Sequence, residues 1–122
     1  MTETNPASAN PSCLFCKIVA GQIPAKIAYE DDSCIGFHDI TPQAPVHILL
    51  IPRKHFASAG EASPGDETVL GHLHRVAAQL AAQMNLNGGH RVVMNTGPDA
   101  GQTVFHAHLH LLGGRGMAWP PG

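Results

Sequence analysis

Thr103-Val104-Phe105-His106-Ala107-His108-Leu109-His110-Leu111-Leu112 is the stretch on which the fold turns. Its three histidines alternate strictly with apolar residues. Successive side chains of a β-strand point to opposite faces, so alternation is the pattern of a strand. His106, His108 and His110 then share one face, while Ala107, Leu109 and Leu111 share the other, which can pack on a core. A helix would spread the three imidazoles over roughly 400° of rotation. Only a strand makes a site of them.

Upstream, residues 91–95 read as another strand, and Thr96 to Gln102 form a Gly-rich loop in which Gly97 and Gly101 flank Pro98 and Asp99. Ser63-Pro64-Gly65-Asp66 supplies an N-cap, a proline at the first helical position and an acid three residues after the cap. Val69, Leu73, Val76, Ala77, Leu80 and Met84 continue it as one apolar stripe of a long helix that Asn87-Gly88-Gly89 ends. Residues 46–51 read as a central strand ended by Pro52. Residues 23–29 and 34–38 are short β runs around a turn at Glu30-Asp31-Asp32-Ser33, and residues 39–45 are a loop stiffened by two prolines. Leu14, Phe15, Ile18 and Val19 have helical spacing, with Gly21 as the stop of a short helix. Strands outnumber helices and the links have hairpin length, so the expectation is an α+β fold with an antiparallel sheet. Residues 1–12 are expected to be a disordered leader, and residues 13–122 one domain.

Composition narrows the function. The chain has 122 residues, 43% of them hydrophobic, which suits one globular domain. It has no apolar run of membrane-spanning length and no signal-peptide pattern, so a cytoplasmic location is expected. A net charge of -2 with only seven Lys and Arg argues against a nucleic-acid surface. Nine histidines are a surplus of groups that titrate, bind metals and attack phosphorus near neutral pH. Three cysteines make a disulfide framework unexpected. Cys13 and Cys16 form a C-x-x-C, and Cys34 reads as a small buried apolar residue.

Three readings are open for the imidazole row: recurrence without function, a three-His metal site, or nucleophilic catalysis. Alternate residues on one strand face lie roughly 6.5–7 Å apart and form a line more easily than a tetrahedral cap, which disfavours the metal. The Gly-rich loop decides for catalysis. Backbone N–H groups at Gly97 and Gly101, the Thr103 hydroxyl and the Asn95 amide are donors that an anionic phosphoryl group needs.

His106-Ala107-His108-Leu109-His110-Leu111-Leu112 resembles the His-φ-His-φ-His-φ-φ signature of the histidine triad (HIT) family, φ being apolar. The resemblance runs from Cys13 to Gly122 and includes Phe37-His38-Asp39-Ile40-Thr41-Pro42-Gln43-Ala44-Pro45, Asn95, Gly101-Gln102-Thr103 and the terminal Trp-Pro-Pro-Gly. It is strongest to the Hint branch, the histidine triad nucleotide-binding proteins, rather than to the diadenosine polyphosphate hydrolases or the nucleotidyl transferases. The resemblance implies a HIT-like fold, with a sheet of about five strands, one long helix and one short. It also implies a homodimeric purine nucleotide phosphoramidase cleaving the P–N bond of AMP-amine conjugates, with no organic cofactor. His108 would be the nucleophile, His106 would hold it through its carbonyl, His110 would serve the phosphoryl and leaving groups, and His47 would support them. Asp39 would bind the ribose, Phe15, Ile18, Phe37 and Ile40 the base, and Asn95, Gly101, Gln102 and Thr103 the phosphate. Trp119 would reach the partner's site.

Each has a plainer alternative. Asp39 can simply start a turn, Phe15, Ile18 and Phe37 can be core, and the Pro-rich end can be an ordinary stiff tail. The rival functions are a nucleotide-binding adaptor with little turnover and a dinucleoside polyphosphate hydrolase. The C-x-x-C resembles that of bacterial-type members, some of which pair it with two distant histidines around a structural zinc. The matching positions are Cys13, Cys16, His55 and His106. A buried thiol pair and a redox motif are the alternatives there.

Overall fold

The computed structural model describes residues 10–122, so residues 1–9 of the expected leader lie outside the described residues. Asn10 to Ser12 form a turn in which the Asn10 side chain accepts from the Ser12 N–H at 3.0 Å. The turn leads into α1 (Leu14–Val19), capped by the Cys13 side chain and followed by Gly21 at a left-handed φ of 73°. Strands β1 (Ile27–Glu30), β2 (Cys34–His38) and β3 (Val46–Pro52) form a meander. The helix α2 (Glu67–Gln83) and strands β4 (His90–Val93) and β5 (Leu109–Gly113) complete a five-stranded antiparallel sheet of order β1-β2-β3-β5-β4. This is the expected α+β architecture. No helix among the described residues is long and apolar enough to cross a membrane.

The capping box at Ser63 and Asp66 is present, though its first turn, Pro64–Asp66, is 3-10 and the α-helix starts at Glu67. The stripe buries Leu73, Val76, Ala77 and Leu80 against Ile48, Leu50, Leu109 and Leu111 of the sheet. Complete burial of side chains of this size stabilises by about 1.5–3 kcal/mol each. On the opposite face, Leu49 and Ile51 of β3 and Ile35 and Phe37 of β2 pack against Phe15, Cys13 and Cys16. His47, at the start of β3, is also buried. The period of two in β3 and β5 thus divides one core for α2 from a second surface carrying histidines.

The histidine stretch differs from the expected continuous strand. β5 begins only at Leu109, and residues 104–108 are irregular. The cause lies across the sheet. Leu50 pairs with Leu109, so continuing the register would set Ala107 opposite Pro52, and proline has no N–H to give a ladder. The Ala107 N–H instead donates to the Phe56 carbonyl at 2.8 Å.

Candidate active site

His108 is buried, and its Nδ1–H donates to the His106 carbonyl at 2.7 Å. A carbonyl can only accept, so a neutral His108 ring carries its proton on Nδ1. Its Nε2 lone pair is left bare. The edge of the Phe15 ring meets the imidazole, with centroids 5.1 Å apart. Burial holds the His108 pKa below the ordinary imidazole value, which keeps the ring neutral.

His110 is set the opposite way. The Gln43 backbone N–H donates to His47 Nδ1 at 3.0 Å, so a neutral His47 must carry its proton on Nε2. That nitrogen lies 2.9 Å from His110 Nδ1, which must accept. The His110 proton is thereby assigned to Nε2. Burial lowers the pKa of His47, and it pushes His110 down to about 4, so both rings are neutral at pH 7. The His108 and His110 rings are neighbours, centroids 5.0 Å apart. A ring with a bare Nε2 therefore stands beside one with an Nε2–H.

Asp39 serves two partners. Its Oδ1 accepts from the Thr41 N–H at 2.8 Å, the turn expected on local grounds, and its Oδ2 lies 3.5 Å from His47 Nε2. Phe15 and Phe37 are buried edge to face with centroids 5.4 Å apart, and Ile18 packs beside them. Ile40 is 98% exposed. Trp119 is 82% exposed.

The structure gives the N–H groups of Gly97, Gly101 and Gln102 partners inside their own loop. The Gly101 N–H donates to the Pro98 carbonyl at 3.0 Å, closing the 3-10 turn Pro98–Ala100, and the Gln102 N–H donates to the Gly97 carbonyl at 3.1 Å. The Gln102 side chain is buried: its Oε1 accepts from the Gly97 N–H, and its Nε2 donates to the Ala57 and Val104 carbonyls. Hydrogen bonds that close the loop thus engage the N–H groups of Gly97, Gly101 and Gln102. Gly97 and Gly101, at φ of 89° and 97°, are needed for the loop's shape. The Asn95 side chain stays beside the loop, its Nδ2 3.9 Å from where a Cβ on Gly101 would lie, and Thr103 is exposed. Neither the Asn95 amide nor the Thr103 hydroxyl has a protein hydrogen-bond partner among the described residues.

His106 does not join the other two in a row. It is fully buried, with its Nε2–H donating to the Pro52 carbonyl at 2.8 Å. Its bare Nδ1 lies 3.4 Å from Cys13 Sγ, 3.5 Å from Cys16 Sγ and 3.2 Å from His55 Nδ1. Cys16 Sγ is also 3.2 Å from His55 Nδ1, and all four donor atoms lie within 4.8 Å of one another. A tetrahedral zinc with ordinary Zn–S and Zn–N bonds separates its donors by roughly 3.3–3.8 Å. The residues present therefore fit the ion in type, number and spacing. The Pro52 carbonyl fixes the tautomer that a metal-binding Nδ1 requires. Burial foremost, with the neighbouring Cys13, pushes the Cys16 thiol up to about 11, and burial foremost, with the neighbouring His55 and His108, pushes His106 down to about 4, so this pocket disfavours charge unless a cation compensates it.

The Pro52 carbonyl and the Gln43 N–H were not foreseeable, because backbone groups leave no mark in a side-chain pattern. A second cluster, Asp31 with Tyr29 and His72, joins residues that no local pattern connects. Asp31 Oδ2 lies 2.6 Å from His72 Nε2 and accepts from the Tyr29 hydroxyl at 2.8 Å, tying α2 to the β1–β2 turn. Its acceptors are satisfied inside the protein, so it reads as structural.

Comparison with known proteins agrees with this geometry. The family profile described as HIT domain matches residues 20–117. An uncharacterized HIT-like protein of Synechococcus elongatus is 54% identical over 109 residues, covering 89% of this chain and 96% of the relative. The crystal structure of a HIT family hydrolase from Legionella pneumophila superposes with a TM-score of 0.88 at 47% identity, covering 91% of this chain and all of the other. A histidine triad nucleotide-binding protein from Candida albicans superposes with a TM-score of 0.77 at 33% identity, covering 89% and 83% of the two chains.

Proposed function

The chain belongs to the HIT-domain family, and on that premise we propose that it is a nucleotide hydrolase of the Hint type, a phosphoramidase that cleaves the P–N bond of AMP-amine conjugates. One observation carries this: two adjacent neutral imidazoles are locked in opposite tautomers, the His108 Nε2 bare and the His110 Nε2 protonated. The Legionella relative is described as a hydrolase and the Candida relative as nucleotide-binding, which supports the general class.

His108 Nε2 attacks the α-phosphorus as the P–N bond breaks, forming a nucleotidyl-imidazole. The ring becomes cationic, and its Nδ1–H stays on the His106 carbonyl. The His110 Nε2–H donates to the phosphoryl oxygen. The one proton that the departing amine needs is taken from solvent, while the His110 Nε2–H stays on the phosphoryl oxygen and its Nδ1 stays on the His47 N–H. Water then cleaves the intermediate, returning AMP, neutral His108 and a proton. Asn95 and Thr103 supply the remaining phosphate contacts, Asp39 the ribose contact, and the face of Phe15, Ile18 and Phe37 the apolar surface for the base. Cys13, Cys16, His55 and His106 would hold a structural zinc, which supplies rigidity. β4 is an edge strand of the sheet, and a second copy can pair along it to give a homodimer, with the exposed Trp119 free to reach across.

A fluorogenic adenosine phosphoramidate assay tests the proposal. The His108→Ala protein is expected to lose turnover by at least about 10³-fold. Near wild-type turnover would refute the mechanism, and negligible wild-type turnover with tight AMP binding would favour a nucleotide-binding adaptor.

A further inference from the structure

We propose that Cys13, Cys16 and His55 are positioning residues for the nucleophile: by holding His106 around a shared divalent cation, they fix the carbonyl that orients His108. This rests on the reading of His108 as nucleophile.

His106 connects the two centres through different atoms. Its ring faces the thiols and His55, and its carbonyl accepts from His108 at 2.7 Å. Neither His106 nor His108 belongs to β5, which starts at Leu109, so no sheet ladder holds the peptides between them. Two kinds of anchor remain. One is the Ala107 N–H on the Phe56 carbonyl, and the other is the His106 ring, held at Nε2 by Pro52 and at Nδ1 by the Cys and His cluster. Phe56 itself follows directly on His55. Three of the anchors therefore come from residues 52–56, and the fourth is the C-x-x-C at the start of α1.

A single Nδ1 lone pair cannot accept from two thiols and an imidazole at once. With no cation, the ring has several alternative partners, each leaving the others unsatisfied. A divalent cation engages all four donors together and leaves one arrangement. The consequence reaches the nucleophile through one bond. If the 106 carbonyl shifts, the His108 Nδ1–H loses its acceptor, and the competing Nε2–H tautomer, which cannot attack, becomes populated.

The experiment compares zinc-loaded protein, protein stripped by chelator and Cys16→Ser. The readouts are zinc content, amide spectra of β3 and β5 as a check of folding, the ¹⁵N imidazole spectrum of His108, and kcat and KM on the adenosine phosphoramidate. Loaded protein should carry one zinc per chain and show one His108 tautomer, protonated at Nδ1. The stripped protein and the variant should stay folded, show mixed tautomers, and lose kcat by roughly 10- to 100-fold with KM changed by less than about twofold. Zinc added to the stripped protein, or to a Cys16→Asp variant that keeps a ligand, should restore both signals. If Cys16→Ser does not fold, His55→Ala, at the least buried of the four positions, replaces it with the same readouts. A folded, zinc-free protein with one His108 tautomer and unchanged kcat overturns the proposal. So does wild type that neither carries nor takes up zinc. Failure of the phosphoramidase reading would show as absent turnover in loaded protein, with the His108 spectrum still reporting the coupling.

Discussion

Replacing His47 by leucine removes the ring that sets the His110 proton while keeping apolar volume in a buried position on β3. Two hydrogen bonds are lost, from the Gln43 N–H at 3.0 Å and to His110 Nδ1 at 2.9 Å. Gln43 is exposed, so its N–H finds water, and the stability cost should stay within about 1 kcal/mol. The catalytic cost is larger. His110 Nδ1 loses its only donor among the described residues, and with it the reason to keep its proton on Nε2. An unsatisfied partly buried group costs about 1–3 kcal/mol, which as a barrier is roughly 5- to 150-fold in kcat. His47→Gln can present an N–H at the Nε2 position and should stay within roughly fivefold of wild type. Steady-state kinetics on the adenosine phosphoramidate, with a thermal melt for stability, test this. Leucine retaining kcat within about threefold, or glutamine falling as far as leucine, would refute the assignment of His110's proton through His47.

The remaining predictions concern pH, binding and packing. His47 and His110 are held by burial below the ordinary imidazole value of about 6.5, His110 down to about 4. The unfolded chain therefore binds more protons than the folded one between those limits. Stability is complete above about pH 6.5 and is lost as pH falls towards 4, so urea midpoints should drop between about pH 7.5 and 5; a flat or rising midpoint contradicts this. Asp39→Asn keeps an acceptor for the Thr41 N–H but loses the charge, and should raise KM by roughly tenfold with kcat little changed; an unchanged KM removes Asp39 from the ribose site. A Cβ on Gly36 would lie 2.7 Å from Leu50 Cδ2 and 3.5 Å from Tyr29 Cβ. Gly36→Ala should cost about 1–3 kcal/mol, and an unaltered melting temperature would mean that Leu50 repacks freely.

Much of the fold was legible because it rests on period. The stripe from Leu73 to Leu80 and the alternation in residues 46–51 each name a buried face, and α2 and β3 bury those faces. The extent of the histidine strand was not legible. Its start depends on what stands opposite, and Pro52 stands opposite Ala107 only once the register of β3 and β5 is set. Where the loop's N–H groups point was not legible for a related reason: its glycines do allow unusual backbone, and the N–H groups of Gly101 and Gly97 turn inward to the Pro98 carbonyl and the Gln102 side chain.

By itself the sequence determined that His110 points away from the leucines of β5, because strand alternation is a local geometric fact, whereas His108 precedes that strand. It could not determine which nitrogen of each ring carries a proton. That depends on the His106 carbonyl for one ring and on the Gln43 N–H acting through His47 for the other. Nor could spacing bring Cys16 to His55 and His106, 39 and 90 residues away. Tertiary structure decided both, because a hydrogen bond or a ligand set requires atoms to meet within about 3–4 Å, and chain order alone fixes no such distance.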